Sequence, residues 1–232
     1  MSYSFSLTTF NPSGKLLQIE YALQTVQKGQ MAVGIRASNG VVIAVEKTIK
    51  TLLIEPQTQQ KIATISPNTC ITYAGIGPDF RVLVAGARKA AAKYFSSYNE
   101  HIPVMILVQK IAGVMQEYTQ SGGVRPFGCS IILGGVDHKG PQVFQIDPSG
   151  SYFEWKATAI GKGFVNAKTF LEKRHHDDME LEDAIHTAIL TLKDSSDGEL
   201  TNTNIELVRV TDAGQVVHFT PEEVQDYLDE AE

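Results

Sequence analysis

Cysteine is scarce in this chain: Cys70 and Cys129 are the two thiols among 232 residues, and each sits inside an apolar run. So small a number excludes a disulfide framework and a cysteine-rich zinc site, and both thiols read as small buried hydrophobes of a protein kept in a reducing compartment. Long apolar stretches are missing as well. No run approaches the ~18 residues that a membrane span requires, and the opening Met1-Ser2-Tyr3-Ser4-Phe5-Ser6 has neither the basic nor the apolar region of a secretory leader. Asn-x-Ser/Thr acceptors free of proline and a C-terminal prenylation box are also absent. These absences predict an intracellular protein of the cytoplasm and nucleus with no membrane partner. Positive charge is in deficit, with 20 Lys plus Arg against 26 Asp plus Glu and a net charge of -6. No basic field is available for a phosphate backbone, so nucleic acid is not expected as a partner.

The familiar catalytic strings are missing too. Gly-x-Ser-x-Gly, the phosphate loop ending in Gly-Lys-Ser/Thr, and His-Glu-x-x-His do not occur. Gly75-Ile76-Gly77 and Gly161-Lys162-Gly163 begin like dinucleotide fingerprints but lack the third glycine, and read as structural turns. His175, His176, Asp177 and Asp178 are adjacent on a loop, where neighbouring side chains diverge, so they read as a solvated connection. Glu180, Glu182 and Asp183 suit the positive end of the helix that follows. His186 inside that helix and Trp155 inside a strand read as packing residues. No metal or cofactor is expected.

What is present is enough apolar material, 43% of the residues, for one well-buried core. A single domain over residues 1–232 is expected. Leu16, Ile19, Leu23 and Val26 recur at helical spacing until Gly29, while Leu17 and Tyr21 lie on the opposite side of the same helix. Apolar groups on two faces leave two readings, a neighbouring subunit or deep cover within the chain. β-Branched runs at 31–35 and 41–45 flank Asn39-Gly40, a pair suited to a tight turn with positive φ. Runs at 62–65 and 70–74 flank Pro67-Asn68 and are expected to complete the first sheet. Helical periodicity follows over 78–98, with Val82, Leu83, Ala87, Ala90, Ala91 and Tyr94 on one broad face, and again over 103–118. Strands are expected at 128–135, 142–147 and 151–156, helices at 161–174 and 181–192, and a hairpin at 205–210 and 216–219. Thr220-Pro221-Glu222-Glu223 has capping-box spacing for a last helix. The order predicts an α+β fold of layered sheets covered by helices.

One long segment is distinctive: residues 3–22, Tyr-Ser-Phe-Ser-Leu-Thr-Thr-Phe-Asn-Pro-Ser-Gly-Lys-Leu-Leu-Gln-Ile-Glu-Tyr-Ala. It resembles the N-terminal signature of proteasome alpha subunits, and segments 115–128, 147–156 and 169–193 extend the likeness along the chain. The resemblance implies the four-layer αββα sandwich of the N-terminal-nucleophile hydrolases with an extra N-terminal helix. On that pattern residues 1–11 are a gating tail, 12–29 the helix and 30–232 the sandwich. It also implies a non-catalytic subunit of the 20S core for ubiquitin-dependent protein degradation. Its partners would be other alpha subunits in a heptameric ring, beta subunits of the adjacent ring, regulatory-particle activators, and unfolded polypeptide substrates passing the gate.

Residues carry over one by one. Gln30, preceded by Gly29, takes the place of the N-terminal threonine of catalytic relatives, Glu46 that of their aspartate, and Lys61 lies near their lysine. An amide cannot act as the nucleophile, so no catalytic residue is assigned, and an amidase or protease acting alone is the rival that this disfavours. The family's gating cluster corresponds to Tyr3, Ser4, Pro12 and Tyr21, with Ser4 in place of an aspartate. Tyr21 has a second reading as a helix-packing residue. Lys61, Gly29 and Ile76 match the pocket that receives an activator's C-terminus. For Lys61 an exposed surface charge is the alternative.

Overall fold

The computed structural model describes residues 10–49, 51, 53–196, 198 and 200–230. A closed turn opens it: the Asn11 side chain accepts the Ser13 hydroxyl and the Lys15 amide, each at 2.8 Å, and Gly14 takes φ +77°. Helix α1 (Leu17–Gln27) follows, then strands β1 (Ala32–Ala37), β2 (Gly40–Glu46), β3 (Ile62–Ser66) and β4 (Thr69–Gly75). Helices α2 (Gly77–Tyr98) and α3 (Val104–Gln120) lead to β5 (Cys129–Asp137), β6 (Gly140–Ile146), β7 (Tyr152–Trp155) and β8 (Ala157–Ile160). The chain ends in α4 (Phe164–Arg174), α5 (Leu181–Ser195), β9 (Ile205–Thr211), β10 (Val216–His218) and α6 (Pro221–Glu230).

Two five-stranded antiparallel sheets result, ordered β10-β9-β2-β1-β8 and β3-β4-β5-β6-β7. Alternation along each strand sorts the side chains between layers. In the first sheet, Val33, Ile35, Val42 and Ala44 pack on Ala184, Ala188 and Leu192 of α5 and Leu171 of α4. Their neighbours Ala32, Val41, Ile43 and Val45 face inward to Cys70, Ile132 and Val143 of the second sheet. On the far side of that sheet, Ile71, Ile131, Leu133 and Phe144 meet Leu83 and Ala87 of α2 and Leu107, Ile111 and Met115 of α3. The architecture is therefore the four-layer αββα sandwich, with α1 set across the end of β4 and β5 and anchored in the inter-sheet core by Val26.

Three expectations need correction. The strands at 62–66 and 69–75 do not complete the first sheet. The edge of β2 that they would occupy pairs instead with β9, from Gly40↔Thr211 to Glu46↔Ile205, so the chain crosses to start the second sheet. The residues between Trp155 and the following helix contain a further strand, β8, that joins β1 in the opposite sheet after the single connecting residue Lys156. The first hairpin turns on Ser38-Asn39, and Asn39 and Gly40 both lack the positive φ expected of them. Asn39 instead spends its side-chain oxygen on the Leu181 amide at 2.9 Å. Gly40 is required by crowding, since a Cβ there would lie 2.3 Å from the Val210 carbonyl oxygen.

The remaining periodicities hold. The α6 capping box forms, with the Thr220 amide donating to Glu223 at 2.7 Å and the Glu223 amide to the Thr220 hydroxyl at 3.3 Å. On α2, Leu83, Ala87 and Ala91 are buried as expected, but Val82 is 58% exposed. It faces outward beside Gly86 and Val114, where α2 and α3 leave an apolar hollow. Because Ile43 is fully buried between the sheets, Ile43→Ala should lower stability by about 2–5 kcal/mol, read by urea unfolding of the isolated chain.

Candidate functional site

The end of β4 brings together Gly29 and Ile76, two of the residues singled out from the sequence. Gly29, just past α1, lies directly on Gly75: a Cβ at position 29 would stand 2.3 Å from the Gly75 nitrogen. Gly75 has φ +115°, and its own Cβ would strike the Gly128 carbonyl oxygen at 2.2 Å. Ile76 comes next, capping α2, its amide donating to the Gly128 carbonyl at 2.9 Å. A Cβ at Gly128 would meet Ile76 Cδ1 at 2.5 Å, so the isoleucine side chain lies flat against that backbone. Gly29 and Ile76 are thus two sides of one feature, with Gly75 between them.

Lys61 enters from the start of β3 and is 4% exposed, which removes the reading of an exposed surface charge. Its Nζ donates to the Glu46 carbonyl at 3.1 Å and stands 5.2 Å from the centroid of the Tyr73 ring on β4. The Glu206 carboxylate grips the strand backbone, accepting the amides of Lys61 at 2.8 Å and Ile62 at 3.2 Å. Burial lowers the Lys61 pKa to about 8, with Coulomb attraction from Glu46 and Glu206 offsetting part of the desolvation. Tyr73 stacks on Phe80 at 4.3 Å, and burial pushes its phenol up. A cleft of about 790 Å³ opens beside it, bordered by Thr64, Gly77, Pro78, Arg81 and Arg88.

The head of β1 is chemically quiet. Gln30 turns its side-chain amide to the Thr48 hydroxyl, and the Gly29 carbonyl accepts the Lys162 amide at 2.8 Å. Glu46 accepts a 3.4 Å bond from Ser196. Pro12 is exposed within the turn at 11–14, and Tyr21 is 52% exposed on α1. Ala22 and Val26 are the fully buried residues of that helix, while Leu17, Ile19 and Leu23 are half-covered, so the deeply covered reading of α1 does not hold within this chain. Tyr3 and Ser4 lie outside the described residues.

Other candidates disperse. His175 Nε2 lies 3.2 Å from the Arg36 carbonyl, whereas Asp177 pairs with Lys156 at 2.7 Å. His186 pairs with Glu230 at 3.3 Å and touches the Tyr227 ring edge-on. Lys168 sits 4.0 Å over the Trp155 ring. Cys70 and Cys129 are buried thiols pushed up to about 12 by desolvation. No helix among the described residues is long and apolar enough to cross a membrane.

Comparison with known proteins is decisive. A family model described as that of the proteasome subunit matches residues 26–210, and a second, describing the N-terminal signature of the A-type proteasome subunits, matches residues 3–24. The chain belongs to the proteasome subunit family. It is 58% identical over 230 residues to proteasome subunit alpha type-2-A of Arabidopsis thaliana, covering 99% of this chain and 98% of that protein. It is similarly 56% identical over 230 residues to proteasome subunit alpha type-2 of Oryza sativa subsp. indica, at 99% and 98% coverage. With the alpha type-2 subunit of Dictyostelium discoideum it shares 54% identity over 226 residues, 97% of either chain. Signature and relatives place it among the alpha subunits, the non-catalytic subunits of the proteasome core. Gln30 at the head of β1 agrees with that chemically, because an amide has no nucleophilic oxygen or sulfur to offer.

Sequence reasoning missed Tyr73 and Glu206, the two residues that surround Lys61. Glu206 lies 145 residues from Lys61, and it reaches the strand only through the β2–β9 register. Gly29→Ala would drive a methyl into the Gly75 backbone, where no flexible side chain can yield. It should lower chain stability by about 1–3 kcal/mol, read as a fall in thermal midpoint.

Proposed function

We propose that this alpha subunit helps close the entrance of the 20S core and receives the C-terminal tails of regulatory-particle activators. The observation that carries the reading is that Gly29 and Ile76 meet at Gly75 while Lys61 reaches Tyr73, two residues earlier on β4, where Tyr73 lines an open cleft. A tail carboxylate would be met by the Lys61 ammonium, whose desolvation is only partly offset within the chain. The apolar side of Ile76 would take the tail's hydrophobic residue, and Gly29, packed on Gly75, would offer its backbone to the tail. Lys61 would have to give up its bond to the Glu46 carbonyl, a change that its four-carbon stem permits.

The ring reading rests on apolar surface that the chain does not cover. Tyr21 and Phe10 are exposed at the N-terminal end, Val82 and Val114 on the α2–α3 layer, and Phe153 and Val165 at the edge formed by β7 and α4. Three such patches on separate sides suit a chain held between two sibling alpha chains in a heptamer, with a beta ring against it. Residues 1–11 would be the gating tail, with Tyr3, Ser4, Pro12 and Tyr21 as its cluster. Ser4 offers a hydroxyl where the family has a carboxylate, so a bond to a neighbour's tyrosine would be weaker. Unfolded polypeptides would pass this gate for ubiquitin-dependent degradation in cytoplasm and nucleus.

The two roles separate experimentally. Deleting residues 1–10 in the assembled core should raise basal hydrolysis of short peptides, and an unchanged rate would leave the closing role to neighbouring tails. Lys61 carries its charge below about pH 8 and loses it above. Activator binding should therefore weaken as pH rises through about 8, and Lys61→Ala should remove that dependence while reducing affinity about tenfold or more. Unchanged binding by Lys61→Ala cores would take Lys61 out of the site.

A further inference from the structure

The loop between α3 and β5 carries a side chain that reaches this site indirectly. Arg125 grips Asp79 in the first turn of α2 with two parallel bonds, Nη1 to Oδ2 at 2.6 Å and Nη2 to Oδ1 at 2.9 Å. Asp79 is 8% exposed, and the guanidinium bonds hold its carboxyl below the usual carboxylate range. The same Oδ2 accepts the Gly128 amide at 2.9 Å. Gly128 in turn accepts the Ile76 amide through its carbonyl at 2.9 Å and offers the flat backbone on which the Ile76 side chain lies. The loop itself is pinned by Phe127, buried and 4.6 Å from the Tyr118 ring. Each link is short and directional, and the chain of contacts ends at the apolar wall of the docking site.

We infer that Asp79 and Arg125 are a positioning pair for tail docking: by fixing Gly128 they fix Ile76, and with it the seat of the tail's hydrophobic residue. The inference rests on the docking reading given above. Arg125 touches no ligand in this role. A lysine at 125 would keep the charge but lose the two-pronged geometry that orients the carboxylate. An asparagine at 79 would keep an oxygen for the Gly128 amide while giving up the ion pair.

The test uses assembled cores and a synthetic ten-residue peptide copying the C-terminus of a regulatory-particle protein, carrying a photo-crosslinking group. Cross-linking to this chain, read by intact mass against peptide concentration, gives the affinity at this one pocket. Arg125→Ala should weaken it about tenfold, the loss expected for a charge-assisted hydrogen-bond pair that orients a wall. Arg125→Lys should recover a part of that loss, and Asp79→Asn more of it. Ile76→Ala should weaken binding at least as much as Arg125→Ala, and in the Ile76→Ala background the Arg125 substitution should add little, because both act through one wall.

A purely structural staple would lower core yield or thermal midpoint and leave the affinity of assembled cores unchanged. Wild-type affinity in Arg125→Ala cores, alongside loss in Ile76→Ala cores, overturns the inference and leaves the docking reading standing. Wild-type affinity in both Ile76→Ala and Lys61→Ala cores overturns the docking reading itself. If Arg125→Ala cores do not assemble, the Arg125→Lys core decides, and an unchanged affinity there overturns the inference.

Discussion

The backbone of Gly29 rests on the backbone of Gly75 with no room for a methyl group between them. Helix α1 can reach the end of the sandwich because Gly29 has no side chain, and Gly75 needs both the positive φ that carries β4 into Ile76 and the lack of a Cβ that would strike the Gly128 carbonyl. From that contact the other positions follow. Ile76 is delivered to the cap of α2, Gly128 is brought under it, and Gly161, also at positive φ, closes over Gln30 from the side of β8. The same crowding leaves the head of β1 sealed by chain that precedes it. In a protein built this way the head of β1 is a structural junction.

Electrostatics at this junction act by burial more than by pairing. Lys61 is held by a carbonyl and an aromatic face, with carboxylates contributing through space, so its ammonium remains unsatisfied in a way that a direct ion pair would remove. Asp79 is the opposite case, a buried carboxylate given two guanidinium bonds and one amide. One group is held with part of its electrostatic demand open, and the other is closed by three hydrogen bonds.

Local patterns in the sequence were good guides to local structure. The 3.6-residue spacing of Leu83, Ala87 and Ala91, the β-branched runs of the first hairpin and the capping box at Thr220 each describe residues that interact within a few positions of one another. Non-local partners were not legible. Whether β3 joins β2 depends on β9, far along the chain, and no feature of residues 62–66 announces it. Gly40 looked like a turn glycine because turn preference is a local property, whereas its real cause is the Val210 carbonyl across the sheet. Lys61 could be placed in a site only by resemblance, since its burial under Tyr73 and beside Glu206 comes from three separate strands. Asp79 and Arg125 are 46 residues apart, in two segments that mean nothing to each other until the second sheet has formed.

The two sheets are joined at one side by Lys156, the single residue between β7 and β8, with Thr158 of β8 donating to Gln145 of β6 at 2.6 Å and Arg36 of β1 pairing with Glu154 of β7 at 3.5 Å. At the opposite side β3 and β10 are fastened by a 2.9 Å bond between Thr64 and His218 and by the Val216 amide on the Pro67 carbonyl, also at 2.9 Å. The molecule is thus bound like a book, with its spine at Lys156 and a clasp at the fore-edge. That clasp lies on the margin from which Lys61 enters, where Glu206 of β9 also holds the amides of Lys61 and Ile62, so this edge of the second sheet is fixed by residues of the first.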